Sequence, residues 1–531
     1  MTTVMLILAA GAIGLGLAKA LHLPSIPLLV LAGVGLSVAG AVDDVQLLQD
    51  VLMLGLALLV FVLGTELNPR RVGAQGRAAI IVGLVQFFSL GGIGFALVIA
   101  LGLAWQTALY IGLALASSST LVVLNLLRQR QQFFEPFGRL VVGVLLLQDL
   151  LVILAIAALG RLDEPDPAAI GRSVLGLAGL LGAAVVSVRW VGPAILTRLQ
   201  DDDETLLIVV LATLFLFLGG ATFMGLPLVA GAFIAGVALS GFPTHGIVRG
   251  QLSSISDFFV AVFFVALGGL LTLPRLDELL LLASFVVLVL FVTPPLVAMV
   301  ARRVGLTARS SIEGGLLLAQ CSEFSIIVAL LGLAQGHLDV GLVSVIALTT
   351  VITMILTPFT ATDAATWRIM RAGWRRRLPR PGVRQHGHIL MLGCGRQGMR
   401  LLNALLAHGR EVVVVDDDAG IIAELTARGV PAYRGDGADV EVLDALDAER
   451  ASAIVSNMRR VRDNVRMLEY ARRRKADLPV LVRVFEPGDA SQIEAHGGTA
   501  IVDSQAADAA FIAWFEARMD GGQGSDQPER P

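Results

Sequence analysis

Two carboxylates stand where ionised groups are rarely tolerated. Asp149 falls at the middle of the apolar run GVLLLQDLLVILAI, beside Gln148. Glu323 falls at the middle of LLLAQCSEFSIIV, after Gln320 and Ser322. A third apolar run carries Ala116, Ser117, Ser118, Ser119 and Thr120 at its centre. An ionisable residue inside a membrane span is costly and is a functional candidate by default. Burial favours the neutral form of a carboxylate, whereas a bound cation favours the charged form. Proton and cation therefore compete for such a group, and each must leave before the other binds. Hydroxyl and amide oxygens suit a hard monovalent cation and can loosen a helix. Gln148, Ser118, Ser119 and Thr120 are expected to supply or position those oxygens around Asp149. No cationic residue in a span is placed to pair with Asp149, so the expected exchange is one for one and electroneutral.

Each of these residues has a plainer reading. A Ser/Thr cluster in a membrane helix, seen alone, is more often packing glue than a ligand set. Glu323 could cap a broken helix end, and with Gln320 and Ser322 it is expected to support the site more than to touch the ion. Asp50, Glu66, Asp257 and Glu313 lie near span ends and read as structural.

The elements that must position these groups are membrane helices. The 531 residues are 56% hydrophobic and 16% charged, with two cysteines and a formal net charge of −3. Mean hydropathy is +0.78. Soluble domains carry about 25% charged residues, so a soluble globular enzyme is excluded. Nothing in the charge balance favours nucleic acid, and two cysteines make no disulfide framework. Apolar runs long enough to span occur near 4–21, 24–40, 47–64, 78–102, 106–126, 138–160, 174–188, 205–223, 226–241, 254–272, 279–300, 312–333 and 342–361. That makes about thirteen at roughly 17–25 residues each. The first run has no basic leader and reads as a retained span. With loops numbered alternately, one set holds Lys19 and a dozen arginines, and the other holds only Arg161, Arg172 and Arg275. Cytoplasmic loops are enriched in Lys and Arg. The bias places the N-terminus outside and the C-terminal region in the cytoplasm, with an odd number of spans.

From about Thr366 the composition changes. A basic connector, 363–385, leads into an α/β pattern over 386–518, and the polar tail 519–531 has no core-forming residues and is expected to be disordered. The strand HILML runs into Gly393, Gly395 and Gly398, with Arg396 and Gln397 between the last two glycines, and an apolar-periodic helix follows. The next strand, EVVVVDDD, carries Asp416 eighteen positions beyond Gly398. This is a dinucleotide-binding arrangement: glycines admit phosphate to a helix N-terminus and the acid takes ribose hydroxyls. Asp436, in GDG after the third strand, and Asn457, ending the fourth, point to the same edge. Turn chemistry is the plainer reading of both.

The runs ALASSSTLVVLNLL, FGRLVVGVLLLQDLLVI, GGLLLAQCSEFSIIVAL, LVFVLGTELNPRR and DFFVAVFFVALGG resemble the monovalent cation:proton antiporter-2 family, and most of all its Kef-type potassium efflux branch. The resemblance covers nearly all of residues 1–362. It implies a polytopic α-helical antiporter of thirteen helices with inverted repeats, followed by a cytoplasmic Rossmann-like domain. Asp149 would be the ion- and proton-binding group, beneath crossed, unwound helices, in a core that moves like an elevator against a dimerisation domain. The later half resembles the N-terminal RCK (regulator of K⁺ conductance) domain. That implies homodimers and an adenine nucleotide, AMP or NAD(H), as effector and not as redox substrate. K⁺ would be the transported ion, the bacterial cytoplasmic membrane the location, and the lipid bilayer the surroundings. Glutathione-type effectors belong to the Kef branch, but its acidic regulatory loop is not seen in SGFPTHGIVRGQLSS.

Three other functions remain in view. A sodium exchanger of the same fold would use the same residues. A potassium channel lacks any TVGYG-type filter here. A membrane-anchored oxidoreductase would need a second substrate domain and a general acid that the sequence does not offer, so no enzymatic activity is expected.

Overall fold

A chain in hydrocarbon must satisfy its own backbone polar groups, and helices do this within one segment. The computed structural model describes residues 2–21, 24–40, 45–66, 76–130, 132, 136–159, 167–191, 203–226, 228–240, 245–272, 274–374, 387–484, 487–502 and 512. The chain divides into two compact units, Met1–Met370 and Arg371–Pro531.

Every regular element among the first unit's described residues is a helix. Its earlier half holds α1 (Thr2–Leu21), α2 (Ser25–Val38), α3 (Val45–Glu66), α4 (Gly76–Ala100), α5 (Trp105–Ala116), α6 (Thr120–Gln129) and α7 (Pro136–Leu159). Then come α8 (Pro167–Val186), α9 (Asp203–Phe223), α10 (Leu228–Ser240) and α11 (His245–Leu270). The last group is α12 (Leu276–Val287), α13 (Thr293–Arg303), α14 (Ala308–Leu317), α15 (Glu323–Ala334), α16 (Val340–Thr360) and α17 (Asp363–Trp374). A π-helical stretch, Leu288–Val292, joins α12 to α13 just before Pro294 and Pro295.

The apolar runs expected to span all fall on helices. Among the described residues, six stretches are long and apolar enough to cross a bilayer unaided. These are Thr3–Leu21, Gly76–Ala100, Trp105–Gln129, Phe137–Ile156, Glu278–Arg303 and Val340–Thr360. As the resemblance implies, the runs at 106–126 and 312–333 are discontinuous, the first as α5 and α6 and the second as α14 and α15; Glu323 therefore opens a helix and does not sit mid-span.

Two helix interruptions matter most. Residues 117–119 are extended between α5 and α6, and residues 318–322 separate α14 from α15. Local chemistry explains both ends. Ser119 accepts a hydrogen bond from Val122 N at the start of α6, and Ser322 accepts one from Phe324 N at the start of α15. A serine N-cap satisfies one of the orphan amides that begin a helix. The broken helices pack on each other through α5 and α15, and both touch α7.

Around them, small residues let helices approach closely, which is how membrane helices gain packing without a hydrophobic drive. Gly33 on α2 abuts the Val265 carbonyl on α11, and Gly268 on α11 abuts the Val30 carbonyl. The same reciprocal arrangement pairs Gly64 on α3 with Gly236 on α10.

The second unit is a parallel six-stranded sheet in the order β3-β2-β1-β4-β5-β6. Its strands are β1 (Ile389–Leu392), β2 (Val412–Asp416), β3 (Ala432–Arg434), β4 (Ala453–Ser456), β5 (Val480–Val484) and β6 (Thr499–Val502). The intervening helices are α18 (Gly395–Ala407), α19 (Ala419–Ala427), α20 (Val440–Ala445), α21 (Val461–Arg474) and α22 (Pro487–Ala495). Strands buried on both faces read as continuous Val/Ile/Leu runs, and all five residues of β2 are buried. Strand order reverses between β1 and β4, which opens a crevice at their C-terminal ends.

The side chains of Asp50, Glu66, Asp257, Arg396 and Gln397, the connector beyond Trp374 and the tail 519–531 lie outside the described residues.

Candidate ion-exchange site and nucleotide crevice

Asp149 sits on α7, 1% exposed. Thr120, the first residue of α6, donates its hydroxyl to Asp149 Oδ2 at 2.8 Å. The carboxylate therefore lies against the positive end of a half-helix, where amide dipoles favour negative charge. Its neighbour Gln148 is fully buried and turns the other way. The Gln148 carbonyl oxygen accepts from Ser118 N at 3.1 Å, and its amide donates to Gln86 Oε1 on α4. Gln86 in turn donates to Ser118 Oγ at 3.4 Å. Ser118 Oγ then donates to the Leu318 carbonyl at 2.7 Å. One serine thus ties the first helix break to the second.

The second break is braced from two further helices. Cys321 N donates to Thr353 Oγ1 on α16 at 3.1 Å, and Ser325 Oγ donates to the Ala114 carbonyl on α5. Glu323 is buried in the first turn of α15, within 3.5 Å of the Ser322 hydroxyl. A carboxylate at that position complements the helix dipole, while Ser322 is the residue that caps the helix.

The structure thus brings together Asp149, Gln148, Ser118, Ser119 and Thr120, with Gln320, Ser322 and Glu323 on the partner break. It also reassigns their oxygens. The hydroxyls of Ser118, Ser119 and Thr120 are engaged with protein groups. Ser117 Oγ and Gln320 Oε1 are buried with no hydrogen-bond partner among the described residues. Among the described side chains of the breaks, these are the buried oxygens left without a hydrogen bond. Gln86 and Thr353 were not singled out from sequence, although a lone amide inside GLVQFFSL was the available signal for Gln86.

Arg309 and Glu313 form a second buried feature, on α14. Arg309 Nε lies 2.9 Å from Glu313 Oε1, with side-chain exposures of 7% and 4%. The Arg309 guanidinium stands 5.0 Å over the ring of Trp367 on α17. Arg309 reads as a loop residue in the sequence because the apolar period begins only at Ile312. The structure starts the helix at Ala308 and buries the pair.

In the second unit, the glycine turn leaves β1 with Gly393 at φ +77° and Gly395 at φ +44°. A Cβ on Gly395 would meet nothing within 4 Å, so the turn faces open space at the start of α18. A Cβ on Gly398 would come 3.0 Å from Asn457 Nδ2 and Met391 Cε. Asn457 donates to the Gly393 carbonyl at 3.1 Å and so holds the turn against β4. Asp436 Oδ1 accepts from Ala438 N at 2.9 Å, the turn chemistry of a short acidic side chain. Asp416 differs from expectation in detail. Its Oδ2 accepts from Cys394 N at 2.6 Å and Gly395 N at 3.2 Å, and its Oδ1 accepts from Asp418 N at 2.9 Å. Helix-start amides attract whichever anion is nearest, and here that anion is the end of β2. Burial, with Asp416 nearby, pushes the Cys394 thiol up to about 11.

Residues 4–367 match the sodium/hydrogen exchanger transmembrane family. The chain belongs to this family. Residues 389–504 of the exchanger match the TrkA-N domain. Among solved structures, the sodium proton antiporter MjNhaP1 from Methanocaldococcus jannaschii at pH 8 is similar over 69% of the exchanger and 97% of its own chain. Its identity is 14% and its TM-score 0.53, a likeness of fold. The TrkA-N domain of the inner membrane protein ybaL from Escherichia coli is 22% identical. It covers 25% of the exchanger and 98% of its own chain, with a TM-score of 0.24. The GsuK channel bound to NAD is 21% identical over 43% of the exchanger and 41% of its own chain, with a TM-score of 0.22. The exchanger is therefore a multi-pass cation/proton antiporter carrying a C-terminal Rossmann-like TrkA-N/RCK domain.

Proposed function

We propose that the exchanger moves K⁺ against H⁺, one for one, at Asp149, under control of an adenine nucleotide held by its TrkA-N domain. The observation that carries the transport reading is the buried Asp149 carboxylate at the junction of two broken helices, bonded by Thr120. Secondary transporters place substrate and coupling-ion sites at such junctions of discontinuous helices. When the carboxylate is protonated it is neutral and needs no counter-ion. When it is ionised, a cation satisfies it, aided by the unspent oxygens of Ser117 and Gln320. The two occupied states alternate, and neither leaves a bare charge in hydrocarbon. The reading of K⁺ follows the Kef-type resemblance of the sequence. Sodium is the second reading, favoured by the family's established name.

The test is cation-induced proton flux in proteoliposomes, comparing K⁺, Na⁺ and Li⁺. We expect K⁺ to drive flux most strongly and Asp149→Asn to drive none. Normal exchange by Asp149→Asn would overturn the site, and a preference for Na⁺ would overturn the ion.

A nucleotide would bind at the glycine turn, where a Cβ on Gly395 would meet nothing within 4 Å; its phosphate would take the Cys394 and Gly395 amides from Asp416 and so free that carboxylate for ribose hydroxyls. Gly393, Gly395 and Gly398 would admit the phosphates, with the amides of Arg396 and Gln397 in the same turn and Asp416 and Asp436 beside the ribose. The nucleotide supplies negative charge and a binding free energy, which can bias two conformations only if it binds them unequally. Calorimetry with AMP, NAD⁺ and NADH on the full chain tests this, alongside NADH oxidation. Binding without turnover supports an effector, and steady oxidation would support an enzyme. The exchanger is further proposed to be a homodimer of the bacterial cytoplasmic membrane, with the N-terminus outside and the TrkA-N domain in the cytoplasm.

A further inference from the structure

We propose that Gln86 is a positioning residue that sets the ion discrimination of the exchange site; this rests on the reading of Asp149 as the exchange group. Gln86 lies on α4, outside the broken helices, and is 1% exposed. It closes a ring of three hydrogen bonds. Ser118 N donates to Gln148 Oε1 at 3.1 Å, Gln148 Nε2 donates to Gln86 Oε1, and Gln86 Nε2 donates to Ser118 Oγ at 3.4 Å.

The ring has a consequence for each member. It fixes which end of the Gln148 amide meets the backbone, so that the Gln148 oxygen faces Ser118 N and not the ion. With its lone pairs accepting from Gln86, Ser118 Oγ is left to donate, and it does so to the Leu318 carbonyl at 2.7 Å. The register of the first break on the second is thereby set from α4. Asp149 follows Gln148 directly on α7, and Thr120 lies two residues beyond Ser118 on α6. The same anchor therefore sets how closely the oxygens near Asp149 can gather. Small cations need a tighter shell than large ones, so a loosened register changes discrimination before it changes turnover.

A buried amide can also be simple packing glue between membrane helices. That role would move stability and leave selectivity alone, and the two separate by experiment. In proteoliposomes, Gln86→Met removes both hydrogen bonds at similar volume. We expect its apparent KM for the preferred cation to rise about tenfold, the scale of one lost buried hydrogen bond. We also expect its K⁺/Na⁺ ratio to fall towards one, with the maximal rate within about twofold of wild type. Gln86→Glu in its neutral form again offers one donor and one acceptor, and should recover most of the KM. Ser118→Ala breaks the same link from the other side and should show the same loss of discrimination, which covers the case in which Gln86→Met fails to fold. Unchanged KM and ion ratio in Gln86→Met, or in Ser118→Ala where Gln86→Met does not fold, would overturn the role of Gln86. With Asp149→Asn inactive, that result leaves the exchange reading standing. Normal exchange by Asp149→Asn would remove both.

Discussion

Replacing Glu313 by leucine should destabilise the membrane unit far more than replacing both members of its ion pair. Arg309 and Glu313 meet at 2.9 Å with exposures of 7% and 4%. Removing one partner of a buried pair costs about 3–5 kcal/mol, because the other charge loses its close compensation. The interactions that Arg309 keeps, among them the face of Trp367 at 5.0 Å, offset part of that, about 0.5–2 kcal/mol for the ring. The expected cost of Glu313→Leu is therefore about 3 kcal/mol. Arg309→Met leaves a buried carboxylate without that ring contact and should cost slightly more. In the double variant the methionine still packs on the Trp367 ring and no charge is stranded, so its stability should lie within about 1 kcal/mol of wild type. SDS titration of the purified, detergent-solubilised protein measures all three unfolding free energies and closes the double-mutant cycle. Additive single costs, or a Glu313→Leu penalty below about 1 kcal/mol, would refute the assignment of the pair as a desolvated structural unit.

Other outcomes follow from single contacts. Gly236→Val places a branched side chain against the Phe61 carbonyl and should lower thermal stability by at least 1–3 kcal/mol, roughly the cost of overpacking. Gly35→Ala, where a Cβ meets nothing within 4 Å, should change stability by no more than about 0.5 kcal/mol. Melting in detergent compares the two. The Cys394 thiol is raised from 9.0 to about 11. The folded state thus prefers the neutral thiol, and the stability linked to it is complete below pH 9 and lost as pH rises through about 11. Maleimide labelling in a Cys321→Ser background should be slow at neutral pH and should quicken in that window. Labelling at neutral pH as fast as in the denatured chain would contradict the assignment. Asp416→Ala strips an acceptor from Cys394 N and Gly395 N. It should cost the TrkA-N domain about 1–2 kcal/mol, the scale of a lost helix cap, read from its unfolding transition in the full chain.

Much of this molecule was legible because charge is scarce in hydrocarbon. Asp149 stood out with no structure, since an ionised residue among leucines has few structural excuses. The Rossmann-like turn of the TrkA-N domain was legible because three glycines, a strand and a distal acid occur in register. Neutral amides carry no such flag, so Gln86 passed as one polar residue in a long span, and only the fold revealed its partners. The exact ends of the helix breaks were harder to place. Apolar composition continues through Leu318 and Cys321, although the first half-helix ends at Leu317 and Ser322 caps the start of the next. Arg309 carries no mark of burial in the sequence, because polarity at a helix start resembles a loop. The fate of Asp416 depended on how the turn curls over the end of β2, a matter of a few ångströms that no spacing rule encodes.

The stacking of Trp367 on Arg309 makes α17 part of the membrane unit before the chain continues into the connector. Trp367 and Met370 are both buried, so this helix is held in the first unit as far as Met370. A torque entering along it would reach first the opening turn of α14, one half-helix away from the Leu318 carbonyl that receives Ser118. A pull arriving by this route would act on the spacing between the two breaks, while the Thr120–Asp149 hydrogen bond, which does not reach the second break, stays in place. Its first effect should then fall on the apparent KM and the K⁺/Na⁺ ratio, ahead of the maximal rate.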